Sequence, residues 1–353
     1  MIAHWDDVEN GRAEAGHIAG LWTDLGAAAG TSTVGVNRIQ VDPGTWSTPF
    51  HRQTGEEEIF FVLGGSGVCL LERGAFEVRP GDCIVHRIFE SHALRAGANG
   101  LDVLAFGERG RTEAAHLPRA GVSWLGRSWV DAGVGEHPWA REAAAGEPEV
   151  PELGARPDTV VHVDDVEGDH DGGSWRLLAR SAGAERTGLN WGRLPASAEG
   201  APPHSHSADE EIFVVLEGAG TLELHPSPQK VRAGVAYAEH PIRTGTVISR
   251  PAGTGIAHAL RAGAPGLTFL AYGTRRPDDI CYYPRSNKIF FRGLGLIARL
   301  EDLDYDDGEQ RFAKGEGKAV VPLKGAPTWD SCVCYRARMF ERTPPPRRSC
   351  CRG

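Results

Sequence analysis

The segment that decides the fold is His204-Ser-His206-Ser-Ala-Asp-Glu-Glu211-Ile-Phe-Val-Val-Leu-Glu-Gly218. Side chains alternate between the two faces of a β-strand, so His204 and His206 project from the same face. Glu211 opens the next strand, and a hairpin through the short polar turn before it would place its carboxylate beside the two histidines. Two imidazoles and a carboxylate suit a divalent first-row metal, and His258 is the candidate for a third imidazole.

An internal repeat organises the chain, because several short blocks recur in the same order. The middle blocks recur 153 residues later, whereas the last block recurs 166 residues later, which places 13 extra residues of the second copy between Gly234 and His258. We interpret the chain as one duplicated domain. The recurring pairs are His4–Glu9 with His162–Glu167, Gly35–Asn37 with Gly188–Asn190, Glu57–Phe60 with Glu210–Phe213, Val78–Gly81 with Val231–Gly234, and His92–Gly97 with His258–Gly263.

Each copy is predicted to consist of β-strands. The segments 59–63 and 212–216 are apolar, aromatic and β-branched, and a glycine follows each closely, which is typical of strands buried on both faces. Further strand-like segments are 221–224, 282–291 and 296–300, and the segments 79–82 and 251–253 are predicted turns. Many short strands at regular spacing indicate a sandwich or a closed barrel for each copy.

The predicted domains are an N-terminal barrel at 1–120, a linker at 121–157, a C-terminal barrel at 158–310 and a disordered tail at 311–353. The linker is rich in Gly, Ala and Pro, but Trp124, Trp129 and Trp139 indicate that it packs on something. The tail lacks apolar periodicity, and it ends in a segment rich in Arg, Pro and Cys.

The second copy resembles the cupin superfamily. Pro202-Pro-His204-x-His206-x4-Glu211-x6-Gly218 is similar to the first cupin signature, and Pro251-x-Gly253 leading to His258 is similar to the second. The first copy shows the same frame in His51-x-Gln53-x4-Glu58-x6-Gly65 and His92, so the chain resembles a bicupin over most of residues 30–275. The resemblance implies two tandem double-stranded β-helix (jelly-roll) barrels.

The resemblance also implies that three histidines and one glutamate hold a metal inside a barrel. In the second copy these residues are His204, His206, Glu211 and His258; a set of satisfied barrel histidines is the weaker alternative. Fe(II) or Mn(II) is favoured, although Zn(II), Ni(II) and Cu(II) are also compatible with this ligand set. Four protein ligands leave one or two positions for water, substrate or O2.

The first copy departs from the family pattern. Its corresponding residues are His51, Gln53, Glu58 and His92, so Gln53 stands where the family has its second histidine. An amide oxygen is a weaker ligand than imidazole, so the first site is expected to bind a metal more weakly, to hold a different metal or to be a structural remnant. Glu56 and Glu57, just before the ligand Glu58, are expected to be solvated turn residues.

Several other residues are candidates for the surroundings of the site. The extra residues of the second copy are assigned to 235–255, as a surface hairpin or, alternatively, as a lid whose arginines meet an anionic substrate; this segment contains His240, Arg243 and Arg250. The aromatic residues Trp191, Phe213 and Tyr237 are candidates for pocket lining or for simple core. Cys69 and Cys83 are expected to be buried thiols.

Composition excludes several classes of function. The 353 residues carry a net charge of −9, which argues against nucleic acid as a partner. No signal peptide or membrane-spanning segment is visible, and the seven cysteines form no CxxC pair, so we expect a cytoplasmic protein that acts on a small molecule. The resemblance adds the expectation of a homodimer.

Three classes of function remain. The favoured hypothesis is a metal-dependent bicupin enzyme that acts on a small organic acid or polar metabolite, with a dioxygenase slightly ahead of a decarboxylase or isomerase. The alternatives are a non-catalytic cupin that binds a small molecule and a structural bicupin with empty sites. Among enzymes, Gln53 counts against oxalate-decarboxylase-like bicupins, and Glu211 counts against gentisate-type dioxygenases. The fold alone does not decide among these functions.

Overall fold

The computed structural model describes residues 1–110, 114–125, 128–130, 137–168, 174–301 and 303. The predicted tail at 311–353 and parts of the predicted linker lie outside the described residues. Strands dominate the described part of the chain, and its α-helices are short: α1 (Leu25–Ala29), α2 (Pro138–Ala144), α3 (Leu178–Ser181) and α4 (Pro228–Arg232). None of these helices is long and apolar enough to cross a membrane.

The strands follow the repeat. The first half contains β1 (Ile2–His4), β2 (Gly11–Ala15), β3 (Ile18–Asp24), β4 (Val34–Val41), β5 (Arg52–Gln53), β6 (Glu58–Leu71), β7 (Gly74–Val78), β8 (Asp82–His86), β9 (His92–Glu108), β10 (Ala114–Leu117), β11 (Val122–Leu125) and β12 (Ser128–Val130). The second half contains β13 (Val160–His162), β14 (Trp175–Arg176), β15 (Thr187–Leu194), β16 (Ser205–His206), β17 (Glu211–Pro226), β18 (Ala238–Arg243), β19 (Thr246–Arg250), β20 (Ile256–Thr274), β21 (Ile280–Tyr283), β22 (Lys288–Phe291) and β23 (Leu296–Arg299).

Two barrels result, each made of a large and a small antiparallel sheet. Within the described residues, barrel 1 combines a sheet in the order β13-β8-β6-β9-β4-β3-β2, with β7 beside β6, and a small sheet in the order β12-β11-β10-β5. Barrel 2 combines the order β1-β19-β17-β20-β15-β14, with β18 beside β17, and the small sheet β16-β21-β22-β23. This architecture confirms the predicted all-β fold of two tandem jelly-roll barrels.

The long central strands bend where their register shifts, and this bend requires glycine. The shifts in β17 lie at Val215/Glu217 and at Gly218/Gly220, and β6 has the same irregularities at the equivalent positions. Gly218 has φ +85°, and a Cβ on it would lie 2.1 Å from the carbonyl oxygen of Gly266. Only glycine fits this close approach, which explains why each apolar strand segment is followed closely by a glycine.

The extra residues of the second copy do not lie where the sequence places them. Two residues separate Leu71 from Gly74 in the β6–β7 hairpin, whereas thirteen separate Leu224 from Ala238 in the β17–β18 hairpin. Eleven of the extra residues are therefore in this hairpin, which contains α4, and the other two lie between Arg250 and His258, the counterparts of His86 and His92. The assignment to 235–255 is wrong because Val231-Arg-Ala-Gly234 belongs to α4 and its turn and is not the counterpart of Val78–Gly81.

The two barrels exchange their first strands. β1, at the start of the first half, pairs with β19 of barrel 2, with Ile2 opposite Ile248. β13, at the start of the second half, pairs with β8 of barrel 1, with Val160 opposite Ile84. Each half thereby completes the large sheet of the other half. The domain boundaries expected at 120 and 158 stay a prediction. Each of the two exchanged strands pairs with a strand on the other side of these boundaries.

A continuous apolar core fills the space between the barrels. It includes Ile59, Phe61 and Phe106 from the first half and Ile212, Val214 and Tyr272 from the second half. The equivalent residues Phe106 and Tyr272 face each other with ring centroids 5.1 Å apart. Burial of each large side chain contributes about 1.5–3 kcal/mol, so the two halves stabilise each other. Two further cores fill the interiors of barrel 1 and barrel 2.

Two buried glutamates link the halves reciprocally. Glu57 accepts hydrogen bonds from the backbone N–H groups of Glu185 and Arg186 in the second half. Its counterpart Glu210 accepts from the backbone N–H groups of Ser32 and Thr33, as well as from both hydroxyls, in the first half. Glu56 and Glu57 are 6% and 4% exposed, so the expectation that they are solvated turn residues is wrong.

Candidate metal centre

The four ligand candidates of barrel 2 come together inside the barrel. His204 and His258 face each other across an antiparallel bridge and exchange both backbone hydrogen bonds, so their side chains share one face. His206 lies on β16 and Glu211 is the first residue of β17. The Nε2 atoms of His258, His206 and His204 lie 3.0, 3.4 and 3.8 Å from Oε2 of Glu211. We refer to these four residues as the candidate metal centre.

Hydrogen bonds outside the cluster fix two of these imidazoles in one tautomer. Nδ1 of His204 donates to the carbonyl oxygen of Pro202 at 2.8 Å, and Nδ1 of His206 donates to Oδ2 of Asp279 at 2.7 Å. An Nδ1 that carries the proton leaves the lone pair on Nε2, which is the atom directed at Glu211. The histidines are therefore oriented as ligands.

The inward-facing atoms lack hydrogen-bond partners, which is the feature that fits a cation. Nε2 of His206, Nε2 of His258 and Oε2 of Glu211 are buried, and none of them completes a hydrogen bond within the described residues. Unpartnered buried polar atoms are costly unless something else satisfies them. Three imidazole nitrogens and a carboxylate oxygen that converge in this way satisfy the donor requirements of a divalent transition metal.

The pKa values follow from the same packing. Burial favours the neutral form of Glu211, but the adjacent imidazoles of His206 and His258 outweigh burial and hold the pKa of this carboxyl well below its usual value. Burial, together with the charge of His204, lowers the pKa of His258 to about 4. Burial also acts to lower the pKa of His206, but Asp279 and Glu211 together raise it to about 10. The carboxylate is thus ionised and His258 is neutral at neutral pH.

Barrel 1 repeats the arrangement with one substitution. His51 and His92 face each other across the same kind of bridge, and their Nε2 atoms lie 3.4 and 3.1 Å from Oε2 of Glu58. Both Nδ1 atoms bond to backbone carbonyl oxygens, those of Pro49 and Glu90. In the small sheet Gln53 lies opposite Ala115, just as His206 lies opposite Cys281.

Three atoms of barrel 1 are buried without a partner among the described residues: Oε1 of Gln53, Nε2 of His92 and Oε2 of Glu58. The amide oxygen is therefore available as a fourth donor. Despite burial, the adjacent imidazoles of His51 and His92 hold the pKa of Glu58 well below its usual value. The donor set fits a metal, with a harder and weaker ligand at position 53.

The interiors also differ at the residue opposite the glutamate. His86 lies opposite Glu58 in barrel 1, and Arg250 lies opposite Glu211 in barrel 2. The His86 ring stacks on His92 with centroids 3.7 Å apart, and burial together with the charge of His92 lowers its pKa well below the usual value. The half-buried Arg250 donates to the carbonyl oxygen of Ile256. Barrel 2 therefore has a fixed positive charge where barrel 1 has a neutral ring.

An apolar cavity of about 120 Å³ adjoins the candidate metal centre. Its lining includes three of the ligand candidates, His204, Glu211 and His258, and the apolar residues Trp175, Phe213, Leu260 and Phe269. Of the aromatic residues proposed as pocket lining, Phe213 is in this wall. Trp191 lines a different cavity, and Tyr237 is 47% exposed on the inserted hairpin.

The inserted segment is a surface hairpin and not a lid. β18 pairs with β17, and Arg243 within it is exposed. Arg250 lies instead on β19, inside the barrel. The alternative of a lid whose arginines meet the substrate is therefore wrong for Arg243.

Among the linker tryptophans, Trp139 packs on Trp22 at 5.5 Å between ring centroids, as predicted. The side chains of Trp124 and Trp129 lie outside the described part.

Sequence reasoning missed Asp279, which holds His206. Asp279 is 1% exposed, and besides His206 it binds the backbone N–H groups of Ala208 and Asp209 and a guanidinium N–H of Arg292. It lies 73 residues after His206, and the two meet only because β16 pairs with β21. The local sequence Pro277-Asp278-Asp279 contains no signal for this contact.

Comparisons with known proteins agree with this geometry. The sequence model described as "Cupin domain" matches residues 37–104, and no curated protein matches the chain. Among solved structures, oxalate decarboxylase from Bacillus subtilis at pH 4.6 is similar with a TM-score of 0.54 and 14% identity, over 77% of this chain and 75% of that chain. The formate complex of Lactobacillus farciminis oxalate decarboxylase gives a TM-score of 0.52 and 13% identity, over 79% and 88%. Residues 37–104 therefore belong to a cupin domain, and the two tandem barrels have a fold similar to that of these solved structures.

Proposed function

We propose that this protein is a metal-dependent cupin enzyme that acts on a small organic acid, and that its reaction is a decarboxylation. The observation that supports it most directly is the cluster of three imidazoles and one carboxylate in barrel 2, whose inward atoms are buried without partners beside a small cavity. Ligand atoms placed in this way, next to a space for a substrate, are typical of a catalytic metal site.

The ligand set is proposed to hold Mn(II) or Fe(II). Imidazole and carboxylate ligands suit both ions, and one of the similar structures is the Bacillus subtilis oxalate decarboxylase with its Mn(II) centres. When bound, such an ion acts as a Lewis acid towards a substrate carboxylate. Zn(II), Ni(II) and Cu(II) are compatible with the same donors, so elemental analysis decides the identity.

The residues around the cluster would prepare it for this chemistry. Asp279 holds His206 in the tautomer with a free Nε2, and the carbonyl oxygen of Pro202 does the same for His204. Phe213 and Phe269 make part of the cavity lining apolar, so little water would share the cavity with a substrate. The buried guanidinium of Arg250, opposite Glu211, adds positive charge that favours an anionic substrate.

The reaction class differs from the sequence-based preference, which favoured a dioxygenase. The similar structures are oxalate decarboxylases, so they favour the alternative of a decarboxylase. A complete ligand set in both barrels is expected of oxalate-decarboxylase-like bicupins, and Gln53 departs from this expectation. We therefore assign the reaction to barrel 2 and regard barrel 1 as a weaker metal site. The expected homodimer also stays a prediction.

The test combines metal analysis with a substrate panel. Purified protein should contain about one tightly bound Mn or Fe per chain, and it should release CO2 from one member of a panel of small carboxylic acids without consuming O2. His258→Ala should remove both the metal and the activity. The matched control is His225→Ala, because His225 pairs with Glu223 outside the ligand cluster.

Each other result has a defined meaning. O2 uptake in step with substrate loss would establish the dioxygenase instead. A metal-loaded protein that binds an acid without turnover would be a binding cupin. A protein that takes up no transition metal would refute the proposed enzyme.

A further inference from the structure

A second cavity of barrel 2 holds Arg275, whose guanidinium is not paired directly with a carboxylate of the described residues. The cavity of about 130 Å³ is lined by Arg275, Arg292, Asn190 and Thr274, and it reaches Glu211 and Trp175. Arg275 is half-buried, and no hydrogen bond or ion pair of its guanidinium is found within the described residues. A guanidinium removed from water without a counter-charge is costly, which points to an anion that is bound from solution.

The equivalent arginine of barrel 1 shows what Arg275 lacks. Arg109 occupies the matching position: its guanidinium lies against Gly35 as that of Arg275 lies against Gly188. Nη2 of Arg109, however, lies 2.6 Å from Oδ1 of Asp24. Asp24 is the N-cap residue of α1.

Leucine replaces this aspartate in the second half. The helix that corresponds to α1 is α3, and its N-cap residue is Leu177, which makes no side-chain capping bond. The second half thus retains the arginine and the glycine against which it packs. It lacks the carboxylate that pairs with the arginine in the first half. The second half differs from the first by the loss of one negative charge at this place.

The other carboxylates near Arg275 already have partners. Asp209 accepts from the Thr274 hydroxyl and from the backbone N–H of Arg276, and it forms an ion pair with Arg292 at 2.6 Å. Glu57, from the first half, accepts hydrogen bonds from the backbone N–H groups of Glu185 and Arg186 in the second half. Arg180 and Arg292 add positive charge near Arg275; together with burial they lower its pKa. The side-chain oxygen of Asn190 is buried in the same cavity without a partner in the described structure.

We propose that this cavity, which we call the anion cavity, binds a small carboxylate through the guanidinium of Arg275. A planar guanidinium offers two parallel N–H groups that match the two oxygens of a carboxylate. The cavity volume is about four times the roughly 30 Å³ that a water molecule occupies in the liquid, so the ligand has only a few heavy atoms. Glu211 lines both this cavity and the apolar one, so the bound carboxylate lies next to the candidate metal centre.

The test uses the difference between the two halves. Malonate is titrated by calorimetry into chelator-treated wild-type protein and into three variants, Arg275→Gln, Leu177→Asp and Leu177→Asn. Arg275→Gln and Leu177→Asp should each weaken malonate binding at least tenfold, because one removes the cation and the other supplies an internal carboxylate. Leu177→Asn has the same shape as the aspartate variant without its charge, and it should bind malonate as wild type does. Arg109→Gln, in barrel 1, should also leave binding unchanged.

Inorganic phosphate serves as the second probe. We expect it to bind more weakly than malonate, since its tetrahedral oxygens match the planar guanidinium less well. Equal malonate affinity in wild type, Arg275→Gln and Leu177→Asp would overturn the proposal, and tighter binding of phosphate than malonate would overturn the assignment to a carboxylate. Thermal unfolding of each variant verifies that it is folded. Because the titrated protein contains no metal, failure here is distinct from failure of the proposed enzyme.

Discussion

Replacement of Asp279 by asparagine tests whether the protein holds His206 as a metal ligand. In the native chain Oδ2 of Asp279 lies 2.7 Å from Nδ1 of His206, while Oδ1 accepts from the backbone N–H groups of Ala208 and Asp209 at 3.0 and 3.2 Å. Asparagine keeps one carbonyl oxygen for the backbone groups. It removes the negative charge and turns a neutral amide towards the imidazole, so the tautomer with a free Nε2 loses its support.

The expected loss follows from what such outer contacts contribute. Removal of a carboxylate that orients a ligating histidine typically costs 10–100-fold in metal affinity. Since each factor of ten corresponds to about 1.4 kcal/mol, the loss is about 1.4–2.8 kcal/mol of binding free energy. Competition against a fluorescent chelator measures this loss directly. Circular dichroism and thermal unfolding report separately on the fold, because Asp279 also binds two backbone N–H groups.

Glu223→Gln is the matched control for this substitution. Glu223 is a second buried carboxylate that pairs with a histidine: Nε2 of His225 lies 3.3 Å from its Oε2. This pair lies outside the candidate metal centre, so its loss should leave metal affinity unchanged. Wild-type metal affinity in Asp279→Asn would refute the reasoning, and so would an equal loss of affinity in both variants.

Three further predictions concern other parts of the chain. Gln53→His should complete the imidazole set of barrel 1 and raise the bound metal, measured by elemental analysis, towards two ions per chain. Glu210→Gln should lower the free energy of unfolding by about 1.5–3 kcal/mol in urea denaturation, because charge-assisted hydrogen bonds from Ser32 and Thr33 are lost; an unchanged midpoint would contradict the inter-barrel role. Thiol alkylation followed by mass spectrometry should find three buried cysteines protected until the protein unfolds, because burial raises their thiol pKa values: Cys69, Cys83 and Cys281.

The ligand cluster could be predicted because its geometry is largely local. His204 and His206 are two residues apart on extended backbone, and Glu211 starts the strand that follows one short turn. His258 is distant in sequence, and its assignment as a ligand came from the resemblance of Pro251-x-Gly253 and His258 to the second cupin signature. The strand pattern predicted a sandwich or a closed barrel for each copy, since alternation and glycine positions are properties of short segments. The cupin resemblance implied the two jelly-roll barrels.

What the sequence could not show depends on contacts between distant segments. An acidic pair before a strand is ordinarily solvated, and Glu57 and Glu210 are buried only because each meets backbone N–H groups of the other half. The location of the extra residues was misjudged for a related reason. The counterpart of Gly81 is Gly245, and a Cβ on either would lie 2.8 Å from Nε2 of the exchanged-strand histidine, His162 or His4. The packing shows that these two glycines are equivalent, whereas the amino-acid sequence alone does not.

The two halves act as internal controls for each other. The contacts that join the barrels occur twice in the same form, in the exchanged strands and in the reciprocal carboxylates, because both halves depend on the same interface. Three differences at or beside the ligand clusters give barrel 2 a stronger ligand, an added positive charge or one negative charge fewer. They are Gln53 against His206, His86 against Arg250, and Asp24 against Leu177. Barrel 2 is therefore the half in which a cation and a small anion would meet, while barrel 1 completes its sheet and its core.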